Sequence, residues 1–132
     1  MSAQTIRIEV GAGELIDKIT ILQIKSARVS DADKLRNIRH ELAVLERIHA
    51  GALAPDAKLD ALTDELKRIN EALWDIEDDI RAHEAEGNFG ESFVALARAV
   101  YQTNDRRAAL KRDINTLTGA TIIEEKSYTD GA

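Results

Sequence analysis

The chain has no cysteine among its 132 residues, which removes disulfides, thiolate metal sites and a cysteine nucleophile from consideration. Aromatic residues make up only 4%. With so few (Trp74, Phe89, Phe93, Tyr101 and Tyr128), the core must be aliphatic. Proline occurs once, at Pro55. No apolar run approaches the length needed to span a bilayer. The N-terminus, MSAQTIRIEV, lacks a basic region followed by an apolar core, so no signal peptide is expected. These absences predict a cytoplasmic protein with no membrane role. A net charge of −6 argues against a nucleic-acid binder that works through a basic surface.

What is present is helical periodicity. Leu59, Leu62, Leu66, Ile69, Leu73, Ile76 and Ile80 recur at alternating spacings of three and four, the seam of an amphipathic helix. So narrow a stripe is stable only against partner helices. Around it the sequence predicts helix one from about Gly13 to Val29 and helix two with Leu35, Ile38, Leu42, Leu45 and Ile48 inward. Helix three runs to about Glu86, and helix four from about Glu91 to Leu117. Ser30-Asp31 and Pro55-Asp56 read as helix starts, Gly87-Asn88-Phe89-Gly90 and Gly119 as stops. Thr5 to Val10 alternates like a short strand, and Ile122-Ile123 favours extension. The expected fold is a mainly α, antiparallel four-helix bundle in one domain over residues 1–132, with the two extended ends paired as a small β-ribbon. Ten acids within residues 59–90 face five bases within 98–112, which predicts that helices three and four are neighbours. The uninterrupted seam also predicts a homodimer.

Several polar groupings have spacings that resemble chemical sites. Val10-Gly11-Ala12-Gly13-Glu14-Leu15 has a Gly-x-Gly turn before a helix, but Ile16 stands where a dinucleotide loop needs glycine, so it reads as a tight turn. Glu46 and His49 have the spacing of half a di-iron site, with no second copy. Asp75, Glu77, Asp78 and Asp79 lack the glycine turn of a calcium loop. No metal and no cofactor is expected.

Helix four carries the more informative pattern. Its apolar stripe is broken at Asn104 and Arg107, and Tyr101, Asn104, Asp105, Ala108, Lys111, Arg112 and Asn115 fall along one stripe. Helix one has its own polar residues close to the core, Asp17 and Lys18 among them. Adjacent, the two helices form either a polar pocket for a small anion or a closed network that fixes register. The Glu124-Glu125-Lys126-Ser127-Tyr128 tail is expected to dock over that groove.

Three stretches, GELIDKITILQIKSARV at 13–29, LARAVYQTNDRRAALKRDIN at 96–115 and EEKSY at 124–128, resemble an uncharacterised family of small bacterial proteins and domains of unknown function. The resemblance implies no activity. It implies that any site would fall on Glu14, Asp17, Lys18, Asn104, Asp105, Arg107, Lys111, Glu124, Glu125, Lys126 and Tyr128. Separately, Ile16-Asp17-Lys18-Ile19 to Arg28 resembles the first helix of all-helical chorismate mutases, which bind a dicarboxylate through Arg and Lys. The functional expectation is a helical binding or interaction module, with a small-anion enzyme or sensor as the alternative.

Overall fold

The computed structural model describes residues 4–127 and contains four helices: α1 (Ala12–Arg28), α2 (Ala32–Ala52), α3 (Ala57–Glu86) and α4 (Glu91–Thr118). Short-range chemistry sets most of the boundaries. Asp31 accepts from the backbone N–H of Lys34 at 3.0 Å at the start of α2. Asp56 accepts from Lys58 and Leu59 at 2.7 and 3.2 Å at the start of α3. Gly87 and Gly119 end α3 and α4 with φ of 68° and 70°, a left-handed turn that suits glycine.

The helices are unevenly packed. α1 touches each of the other three, and α3 and α4 lie side by side as the charge pattern predicts. Their acidic and basic faces meet in the Arg106–Glu65 ion pair. Among the described residues α2 packs against α1 alone, and none of its residues is buried. The core is Ile16 of α1, Leu59 and Leu66 of α3, and Leu110 and Ile114 of α4, with Leu62 and Ile69 packed against it. The α3 seam is thus covered at its beginning, while Leu73, Ile76 and Ile80 stay half-buried.

One expectation fails. No strand occurs among the described residues, so the predicted β-ribbon is absent and the fold is all-α. Thr5–Val10 alternates as a strand would, but β-propensity needs a ladder partner to act on. Neither end supplies one. Residues 122–127 run along α4, attached by side-chain ion pairs, and Ile6 and Ile8 remain 78% and 77% exposed.

Candidate functional site

α1 begins against the end of α4. Its N-cap residue, Gly11, offers no side chain, and the Gly13 N–H is instead accepted by Asn115 Oδ1 of α4 at 2.8 Å. A Cβ on Gly13 would strike the Lys111 carbonyl oxygen, and one on Gly11 would lie 2.6 Å from Asn115 Oδ1 and 2.7 Å from the Ile122 carbonyl oxygen. Both glycines have ordinary negative φ, so they serve close approach of two backbones rather than the tight turn read from the sequence.

One turn further, Asp17 is 2% exposed, and its carboxylate is met from two helices. Arg107 of α4 donates Nε–H to Asp17 Oδ1 at 2.9 Å and a second N–H to Oδ2. Asn70 of α3 donates to the same Oδ1 and to the Thr20 hydroxyl, both at 2.9 Å, and that hydroxyl donates to the Asp17 carbonyl at 2.8 Å. The hydrogen bond to Asp17, with attraction from Asp17 and Glu14, outweighs the burial of Arg107 and raises its pKa further. Arg107, an apparent fault in the α4 stripe, is therefore the counter-ion of a buried carboxylate. Every buried side-chain nitrogen and oxygen among the described residues has a partner.

A second cluster lies at the surface beside the first. Lys111 Nζ donates to Glu14 at 2.9 Å and to Glu124 of the C-terminal segment at 2.7 Å. Burial works against the Lys111 charge, but the hydrogen bonds to Glu124 and Glu14 prevail and raise its pKa. The same bond and the charge of Lys111 hold Glu124 below the usual carboxylate range. Arg112 pairs with Glu125. Lys126 reaches the Asn104 carbonyl at 3.5 Å and Asp105 at 3.8 Å. Between α4 and this segment lies a cavity of ≈ 80 Å³ lined by Ala108, Ala109, Lys111, Arg112, Asn115, Glu124 and Lys126.

Of the residues expected to form a site, Asp17, Asp105, Arg107, Lys111, Asn115, Glu124, Glu125 and Lys126 are brought into these two clusters. Asn104 contributes only its backbone carbonyl. Lys18 and Tyr101 are exposed and take part in neither cluster among the described residues. Tyr128 lies outside the described residues. Asn70 and Thr20 join the buried cluster without belonging to the expected set. Asn70 had a signal, four residues after Leu66 and so beside the seam, where a carboxamide needs a polar partner. No group of three or more His, Cys, Asp or Glu side chains placed to hold a metal occurs among the described residues. No helix among them is long and apolar enough to cross a membrane.

The profile of the Family of unknown function (DUF6165) matches residues 6–131, and the chain belongs to that family. No curated protein and no solved structure matches it.

Proposed function

We propose that this member of a family of unknown function is a binding module that engages a protein partner through the segments flanking its helical body, close to where α1 begins. One observation carries this reading. Of the ten large apolar residues exposed among the described residues, five (Ile6, Ile8, Val10, Ile122 and Ile123) lie on those two short segments. The segments approach each other where Gly11 meets the Ile122 carbonyl. Exposed apolar side chains concentrated on two short segments mark an interaction surface more than singly scattered ones do. In this reading the Lys111–Glu124 and Arg112–Glu125 pairs hold the C-terminal segment in the position from which it presents Ile122 and Ile123.

The alternative, an enzyme or sensor for a small anion with chorismate-mutase-like chemistry, needs an available carboxylate and cations free to receive the ligand. Asp17 instead accepts from Arg107 and Asn70. Arg28, the far end of the mutase-like segment, pairs with Asp75 at 2.6 Å and stands 5.8 Å over the Trp74 ring.

The test is capture on immobilised protein, wild type against an Ile6→Ser/Ile8→Ser variant that keeps its helical circular dichroism. A partner held in stoichiometric amount by the wild type and lost by the variant supports the reading. Equal recovery on both defeats it.

A further inference from the structure

We propose that the free end of the α3–α4 hairpin is a second docking surface, and that its occupant is a basic amphipathic helix of a partner protein. The hairpin outruns the helix that covers it. At 1.5 Å per residue α3 and α4 are about 45 and 42 Å long, against about 25 Å for α1. Every buried residue of α3 and α4 lies within 59–70 or 110–115, around the core that Ile16 of α1 completes. Between 71 and 109 none is buried. Phe89, Val94 and Tyr101 in that stretch are 55%, 46% and 57% exposed. The turn that carries Phe89 is already built. Its ring meets Phe93 edge to face with centroids 5.3 Å apart, the Asn88 N–H donates to the His83 carbonyl at 2.9 Å, and the Gly90 N–H donates to Asn88 Oδ1 at 3.3 Å. A partner landing here meets a preformed surface, with little ordering cost.

Charge selects the occupant. Residues 75–101 carry seven acids against Arg81 and Arg98. Asp75 and Glu77 are paired, while the exposed Asp78, Asp79, Glu84, Glu86 and Glu91 have no ion pair among the described residues. A second copy would bring like charge to like charge at this end, whereas a cationic helix is attracted to it. The chain shows the same contact on a small scale. Arg28, at the end of α1, reaches the hairpin, pairs with Asp75 at 2.6 Å and stands 5.8 Å over the Trp74 ring. Val94 and Tyr101 are seven residues apart on one face of α4, a repeat that a helix laid alongside matches with its own i and i+7 side chains. Arg98 sits between them without an ion pair, and there the partner requires a neutral or acidic residue. Along α4, Glu91 is about 36 Å from Asn115, where α1 begins, so this surface is separate from that of the flanking segments.

The probe is a synthetic helix with leucines at i, i+3, i+4 and i+7 and lysines elsewhere, titrated into the ¹⁵N-labelled full chain. Its control is a peptide of the same composition whose leucines share no face. Saturable shifts are expected with the first peptide, centred on residues 83–101 and weakening as salt rises. Phe89→Ser is expected to raise the Kd about tenfold, as loss of an aromatic anchor does. Tyr101→Ser, three turns into α4, is expected to weaken binding in the same direction and decides the matter should Phe89→Ser loosen the turn. Ile6→Ser/Ile8→Ser is expected to bind the peptide as the wild type does, so failure of partner capture and failure here are told apart. Equal binding of the control peptide overturns the proposal, because charge alone would then account for it. So do absence of saturation, shifts centred elsewhere (the flanking segments included), or a Kd unchanged in both aromatic variants. Shifts at 83–101 that grow with protein concentration before peptide is added assign the face to a second copy and also overturn it.

Discussion

Asn115 caps a helix to which it does not belong: its side-chain oxygen accepts the backbone N–H of Gly13 across 102 positions of sequence. α1 has no capping side chain of its own, so α4 supplies one of its initial acceptors. Asn115→Ala leaves that N–H buried without a partner, at a cost of about 1–3 kcal/mol. At roughly 4 °C per kcal/mol for a chain of this size, thermal unfolding should move down by several degrees. A melting curve unchanged within a degree or so would show that water replaces the carboxamide at no cost.

The two helical glycines Gly13 and Gly51 should respond to alanine with opposite sign. Replacing a helical glycine by alanine ordinarily stabilises by about 1 kcal/mol. Nothing lies within 4 Å of a Cβ at Gly51, so Gly51→Ala on α2 should show that gain. At Gly13 the new Cβ meets the Lys111 backbone carbonyl, which is not the yielding end of a flexible side chain. Gly13→Ala should therefore destabilise, and chemical denaturation of the two variants side by side checks the inversion.

That contrast also shows what the sequence could tell. The α3 seam, the Asp31 and Asp56 caps and the Gly87 and Gly119 stops rest on neighbours within one or two turns, and each was legible. The meeting of α1 and α4 was legible as a polar stripe facing a polar helix. Its details were not, because which cation reaches Asp17 is decided by helix packing over 90 positions. The glycines of Gly11-Ala12-Gly13 look the same in a sequence whether they serve a turn or a close approach. The ends misled because alternation records β-propensity and says nothing about whether a partner strand exists. Lys18 misled because one step along a helix turns a side chain by about 100°, from the buried face of Asp17 to solvent.

Arg107 neutralises a carboxylate that is 2% exposed. Removing one member of such a pair strands the other and costs about 3–5 kcal/mol, more than the pair itself contributes. Arg107→Ala should approach that loss, while Asp17→Asn, which leaves a neutral group able to hydrogen-bond, should cost less. Arg107→Lys should fall between, since an ammonium keeps the charge but not the two-point contact with both carboxylate oxygens. Urea denaturation of the three variants gives the order, and an Arg107→Ala protein as stable as wild type would remove the argument.

α2 leaves apolar surface exposed. Among the described residues it rests on α1 alone with no buried residue, and Ile48 on its last turns is 51% exposed. Together with the half-buried Leu73, Ile76 and Ile80 of α3, this predicts a homodimer, with a mass twice 14.6 kDa in sedimentation at micromolar concentration. Ile48→Lys should shift the equilibrium to the monomer, and a wild-type monomer at that concentration ends the idea.

The Lys111–Glu124 pair carries a pH signature whose direction follows from both partners. The Glu124 carboxyl sits below its ordinary value of 4.5, because the hydrogen bond and charge of Lys111 favour the ionised form. Its contribution is therefore fully present above that value and is lost as pH falls through the lowered one. Lys111 lies above its ordinary 10.5, so its contribution is present below that value and disappears as pH rises through the higher one. Between these limits the segment stays attached. Glu124→Gln removes the acid limb alone. The melting temperatures of wild type and Glu124→Gln should differ by a constant amount from neutral pH down to about 5 and converge below it. A difference that persists to about pH 2, well below ordinary carboxylate values, would mean that Glu124 acts through packing and not through its charge on Lys111.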